Sequence, residues 1–115
     1  MAATGLRHIS LRTGDLKKTE RFYTKVLGLN VAFRFPKNVF LCSPKGDDLV
    51  HFTSSAQKFR GTQGLDHFGF KVSRGALKGM EKKLKDSGVE IQGRRGGDSI
   101  YFRDPNGYLV ECYCD

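Results

Sequence analysis

The sequence predicts an α+β fold made of two βαβββ modules, and three observations predict it. Leu6-x-His8 recurs in the second half as Leu65-x-His67. Each copy leads into a helical pattern that stops at a glycine, Gly28 or Gly88. Each helix is then followed by three short apolar runs of strand type.

The elements follow in order. Leu6-Arg7-His8-Ile9-Ser10-Leu11 reads as the first strand. Asp15 is placed to cap a helix running to Val26, with Phe22, Val26 and the aliphatic part of Lys18 on one face. The runs 29–35, 38–42 and 48–53 complete module one, about residues 5–54. Pro36-Lys37-Asn38 and Pro44-Lys45-Gly46-Asp47 supply its turns. A polar segment, 55–64, with Gly61 and Gly64, reads as a linker. Module two, 65–115, opens on Leu65-Asp66-His67-Phe68-Gly69-Phe70. A helix with Leu77, Met80, Leu84 and Lys85 on its stripe follows, then runs at 89–92, 99–102 and 108–113. Asp104-Pro105-Asn106-Gly107 is the last turn. By length the chain is one domain, and neither half alone buries enough surface to stand by itself.

Polar residues recur where these strands should be apolar. His8 and His51 lie on the first and last strands of module one, and His67 and Glu111 lie on those of module two. Residues two apart in a strand share a face. His8, Ser10 and Arg12 therefore share one, as do His51 with Thr53, Ser99 with Tyr101 and Arg103, and Glu111 with Tyr113. Together they would line a polar cavity, while Ile9, Leu11, Val50, Phe52, Phe68, Phe70, Ile100, Phe102 and Val110 pack beneath the helices. Two imidazoles and a carboxylate, His8, His67 and Glu111, are a ligand set for a divalent first-row metal with open positions. A carboxylate between Val110 and Cys112 is costly unless it is paired or metal-bound, so an ion pair with an arginine is its other reading. His51 is a fourth ligand, a general base beside the metal, or a histidine at the cavity mouth; a one-residue slip in register would decide.

Two motifs carry a resemblance to a known family. They are Gly14-Asp15-Leu16 with Phe22-Tyr23 and Leu27-Gly28-Leu29, and the run from Tyr101 through Asp104-Pro105-Asn106-Gly107 to Glu111. With them the chain resembles, over nearly its whole length, the vicinal oxygen chelate superfamily of glyoxalase I, extradiol dioxygenases, fosfomycin-resistance thiol transferases and bleomycin-binding proteins. The resemblance implies curved eight-stranded mixed sheets around the metal. It also implies a module-swapped homodimer, with His8 from one subunit beside His67 and Glu111 from the other. It further implies Tyr101 and Ser99 as a substrate-contacting pair, with the Tyr101 hydroxyl as a catalytic hydrogen-bond donor. From the residues themselves, Ser10 and Arg12 on the cavity face and Arg95 in the basic loop Arg94-Arg95-Gly96-Gly97 are read as further substrate contacts. In glyoxalase-like members a carboxylate or amide ligand stands where His51 falls. The fosfomycin enzymes carry a lysine near the position of Ile91 and a further arginine beyond the metal-binding glutamate, whereas this sequence stops at Asp115. A substrate other than fosfomycin is therefore expected.

Composition narrows the function. The net charge of +8 favours anionic ligands such as carboxylates, phosphonates and thiolate peptides. The basic residues are scattered and no nucleic-acid motif is present, so nucleic acid is not expected as a partner. Three cysteines and no apolar leader or membrane-length segment point to a cytoplasmic chain with reduced thiols. Cys112 and Cys114 alternate with Glu111 and Tyr113 and should pack away from the cavity. The expected function is that of an enzyme using Zn, Mn, Ni, Co or Fe on a small oxygen-chelating anion. Glyoxalase-type proton transfer and transfer of a thiol such as glutathione are both open. A metal-free sequestering protein is one alternative, and an Fe(II) dioxygenase another. A dimeric scaffold with an unused metal site is a third.

Overall fold

The computed structural model describes residues 2–56 and 64–114. Most of the expected linker, residues 57–63, lies outside the described residues. The chain divides into two compact units, Met1–Lys58 and Phe59–Asp115.

In the first unit, β1 (His8–Thr13) is followed by α1 (Leu16–Lys25), β2 (Asn30–Phe35), β3 (Asn38–Cys42) and β4 (Leu49–Ser54). The sheet order is β1-β4-β3-β2, with β1 parallel to β4 and the remaining pairs antiparallel. The second unit repeats this arrangement. There β5 (Phe68–Lys71), α2 (Arg74–Asp86), β6 (Ile91–Arg94), β7 (Ser99–Arg103) and β8 (Leu109–Tyr113) form a sheet of order β5-β8-β7-β6, with β5 parallel to β8. Two four-stranded mixed sheets with one helix each give the expected α+β, twice-βαβββ fold.

The helix ends are set locally. The Asp15 carboxylate accepts the Lys18 amide at 3.0 Å, and the Ser73 hydroxyl accepts the Ala76 amide at 3.1 Å. At the other ends Gly28 and Gly88 take φ near +75°. That turn lets Leu29 N–H reach the Tyr23 carbonyl and Val89 N–H reach the Leu84 carbonyl. Each helix is also tied to the second strand of its module by a Glu–Arg ion pair. Glu20 takes Arg34 in a two-pronged contact at 2.8 and 2.9 Å, and Glu81 takes Arg94.

Burial follows strand alternation. Val39, Leu41, Val50 and Phe52 fill the core under α1, where Tyr23 lies 5.0 Å from Phe52 between ring centres. Ile100, Phe102, Val110 and Cys112 do the same under α2 with Leu77, Met80 and Leu84. Ile9, Phe68 and Phe70, expected with them, are only half-buried. Two lysines expected on the apolar stripes, Lys18 and Lys85, are exposed; Thr19 and Tyr23 face the core instead, with the Thr13 and Thr19 hydroxyls paired at 2.8 Å. Three strand boundaries also move. β1 begins at His8, because its pairing starts at His8–Leu49 and Leu6 is 94% exposed. β5 begins at Phe68, which leaves His67 just ahead of the strand. β6 begins at Ile91 and runs through Arg94, two residues beyond the run expected at 89–92. Among the described residues no helix is long and apolar enough to cross a membrane.

Candidate functional site

In module two the outward face of the sheet carries a row of paired residues, Gly69, Glu111, Tyr101 and Gly93. Side chains on the other face are core, so Glu111 is held in a largely apolar strand with its carboxylate directed out of the sheet. The glycines matter to this. Gly69 stands directly opposite Glu111, and a Cβ there would come within 3.4 Å of the Glu111 carbonyl and of Tyr113. Gly93 follows a bulge at β6 that leaves half-buried Ile91 opposite core Phe102 and puts Gly93 opposite Tyr101.

His67 completes the cluster. Its Nδ1 lies 2.7 Å from Asp66 Oδ1, and its Nε2 lies 3.3 Å from Glu111 Oε1. The Tyr101 ring sits edge-on to the imidazole, 5.3 Å between centres. Asp66 raises the His67 pKa above its ordinary value, chiefly through that hydrogen bond, against the effect of burial. For Glu111 the order reverses. Burial pushes its pKa up, but the Arg95 hydrogen bond and then the neighbouring Tyr101 and Ser99 hydroxyls outweigh it, and the carboxyl is held below the usual range. The Arg95 guanidinium reaches Glu111 Oε2 at 3.2 Å. Ser99 Oγ is buried close by and makes no hydrogen bond of ordinary geometry among the described residues.

This donor set fits a divalent cation. Two ligands bound at about 2.1 Å to one ion stand roughly 3 to 3.4 Å apart, the separation found between His67 Nε2 and Glu111 Oε1. Asp66 on Nδ1 fixes the tautomer that leaves Nε2 as the donor atom, an arrangement common to metal-ligating histidines. Among the described residues no three His, Cys, Asp or Glu side chains form a metal-holding cluster. His67 and Glu111 stand as a pair.

In module one the corresponding row is Ser10, His51, Phe40 and Phe33. The structure puts His51 on the same face as Ser10, and both ring nitrogens are engaged. Nδ1 is 3.0 Å from Ser10 Oγ, and Nε2 is 2.7 Å from Asn38 Oδ1. The ring stacks on Phe40 at 4.1 Å between centres, with the two planes nearly parallel. Burial, and then the charge of His8, hold its pKa below the ordinary value. Neutral His51 with its proton on Nε2 would donate to Asn38 and accept from Ser10. His8 and Arg12 are exposed on the same strand as Ser10. A groove of about 500 Å³ lies between α1 and strands β2–β3, lined by the Glu20–Arg34 pair with Lys17, Arg21 and Asn38.

Sequence reading found His67, Glu111, Tyr101, Ser99 and Arg95, which the fold brings together, and His51, Ser10, His8 and Arg12, which lie along β1 and β4 of module one. It missed Asp66. In a regular strand adjacent residues point to opposite faces, so Asp66 could not help His67. With His67 ahead of β5, it can. Asn38 is expected in a turn, and the Phe33–Phe35–Phe40 group carries no signal in the sequence beyond strand-type runs.

Comparison with known proteins agrees with this architecture. The chain is 30% identical over 113 residues to the glutathione transferase FosA of Serratia marcescens, an alignment covering 94% of this chain and 79% of that protein. It is 30% identical over 115 residues to a manganese-dependent 2,3-dihydroxybiphenyl 1,2-dioxygenase of Geobacillus genomosp. 3, of which it spans only 36%. A crystal structure of a variant of the fosfomycin resistance protein FosX of Listeria monocytogenes, complexed with Mn(II) and 1S,2S-dihydroxypropylphosphonic acid, superposes with a TM-score of 0.82 at 23% identity. It covers 97% of this chain and 93% of that one. Residues 5–112 match the Glyoxalase/Bleomycin resistance protein/Dioxygenase superfamily as a whole, and the chain belongs to that superfamily.

Proposed function

We propose that this chain is a divalent-metal-dependent enzyme that adds a thiol to a small anionic substrate able to chelate metal through oxygen. The observation that carries the reading is the placement of His67 Nε2 3.3 Å from Glu111 Oε1, with Asp66 on the far nitrogen of the imidazole. His8 is the third ligand, supplied by module one of a second subunit in a homodimer that pools modules into eight-stranded sheets. A metal bound there supplies Lewis acidity to a substrate oxygen. Asp66 keeps the proton on Nδ1. The Tyr101 hydroxyl donates a hydrogen bond to the oxygen that gains charge, since Tyr101 stands directly across the strands from Glu111 and beside His67. Arg95 is exposed and reaches in from its turn, which suits it to hold an anionic substrate end. The relation to FosA, a glutathione transferase, supports a thiol cosubstrate of that type. Ser10 and Arg12 serve as further substrate contacts on module one. The compartment consistent with a thiol cosubstrate is the cytoplasm.

Proton transfer next to a carbonyl is the second reading, and His51 favours it. Its lowered pKa keeps the ring neutral at pH 7, as a general base must be. It would have to give up its Ser10 contact to act, and the same exchange would precede any role as a fourth ligand.

Elemental analysis of the purified protein tests the reading. About one metal per chain is expected, lost in His8→Ala, His67→Ala and Glu111→Ala. Thiol consumption with glutathione and small epoxide or aldehyde anions should then require that metal and fall in Tyr101→Phe. Metal retained in all three variants, or none bound after Zn, Mn, Ni, Co or Fe is supplied, refutes it. Stoichiometric iron with oxygen uptake moves the chain to dioxygenase chemistry.

A further inference from the structure

The outward face of the module-one sheet changes character from one edge to the other. One row runs Ser10, His51, Phe40, Phe33 across all four strands, and the next runs Arg12, Thr53, Asn38, Phe35. The β1 and β4 half is polar and carries a cation. The β2 and β3 half carries three phenyl rings, with Asn38 among them. Phe33 and Phe35 each meet Phe40 edge-on, at 6.1 and 6.2 Å between centres, and Phe40 stacks on His51. A bulge between Val31 and Phe33 makes this possible. It leaves Val31 opposite core Leu41 and turns Phe33 and Phe35 to the other face, beside Phe40. They are 57% and 56% exposed. A single exposed phenylalanine needs no explanation. Two that close on a third ring, itself stacked on an imidazole, form a wall of specific geometry.

We infer that this face binds an anion bearing an aromatic or comparably bulky apolar group. The ring lies against Phe33, Phe35 and Phe40, and the charged oxygens lie toward Arg12 and His8. The cationic end and the positive net charge argue for an anion, and the apolar end argues against a small hydrophilic one. The inference rests on the proposed function only in taking the His8 face as part of the substrate cavity.

Lactate and mandelate separate the two halves, because they share an α-hydroxycarboxylate head and differ by methyl against phenyl. Titration of the full-length protein followed by NMR should show mandelate binding roughly tenfold more tightly than lactate. Phe33→Ala/Phe35→Ala should abolish that preference and leave lactate affinity unchanged; both residues are exposed, and an unchanged melting temperature would show that the fold is kept. Phe33→Leu should keep part of the preference. Equal affinities in the wild type, no binding of either anion, or a preference that survives the double variant overturns the inference. So does a double variant that binds as wild type but sediments as a smaller species, which would make the rings a subunit contact. Repeating the titration after chelation, with metal content measured, distinguishes the two proposals. A phenyl preference without metal leaves this inference standing and removes the enzyme reading. Bound metal without a phenyl preference does the reverse.

Discussion

Asp66→Ala isolates what the carboxylate beside His67 contributes to the metal binding proposed for this chain. Asp66 makes one charge-assisted hydrogen bond, 2.7 Å from Nδ1, and touches no metal position itself. Removing such an orienting partner weakens metal binding by about 10- to 100-fold. The lower end applies here, because the Asp66 side chain is 90% exposed and its charge is screened by water. The expected loss is therefore about tenfold, close to 1.4 kcal/mol. The cause is a freed imidazole that samples other rotations and tautomers. Competition with a chromophoric chelator at fixed pH and salt measures it, with His67→Ala as the variant that loses the site. Asp66→Asn should fall between, since an amide oxygen still accepts the Nδ1 proton. If Asp66→Ala binds metal as the wild type does while His67→Ala does not, the orienting argument is wrong. If Asp66→Ala matches His67→Ala, Asp66 is itself a ligand.

Arg95→Ala removes a cation from Glu111 and should tighten metal binding several-fold by the same titration, while weakening an anionic substrate in steady-state kinetics. Phe52→Ala empties a fully buried site against Tyr23 and should cost about 3 to 5 kcal/mol in urea unfolding. The Glu20 pKa lies below its ordinary 4.5 because of the Arg34 hydrogen bond, so its contribution is present above that value and lost as pH falls through the lowered one. Melting curves between pH 6 and 2.5 should show a shallower loss in Glu20→Gln. The Cys112 thiol is pushed up to about 12 by burial, aided by the Glu111 charge, and should resist alkylation at pH 8 until the chain unfolds. Half-buried Cys42 should label first.

The repeat was legible because duplication preserves what the backbone needs. Histidine, helix, stopping glycine and three strands recur in order, and each is a local signal. What was not legible depended on register. Bulges in β2 and β6 reverse which face the following residues take, so Phe33 and Gly93 arrive on the outward face although simple alternation gives no sign of it. The strand assignment of His67 failed by one residue, and that residue decides whether Asp66 can reach the imidazole. Glu111 was recognisable from cost alone, a carboxylate in an apolar strand. Its hydrogen bonds come from β7 and the turn before it, and only strand pairing brings those near.

The two modules share a scaffold and have diverged at one row of side chains. At equivalent positions module one has Ser10, His51, Phe40 and Phe33, and module two has Gly69, Glu111, Tyr101 and Gly93. Glycine at both ends of the second row keeps side-chain bulk off either side of Glu111 and Tyr101, where the proposed metal and substrate would sit. Phenylalanine at one end of the first row does the opposite and builds a surface for an apolar group to rest on. Core positions could not divide the work in this way, because a change of volume there is felt as lost packing. The outward row lies where a duplicated fold can change side chains at little cost in stability. Exchanging the row ends tests the argument: Gly93→Phe should block the Tyr101 side of module two and abolish turnover while the melting temperature stays nearly unchanged. A comparable loss of stability would show instead that Gly93 is required by the bulge and not by the space it leaves.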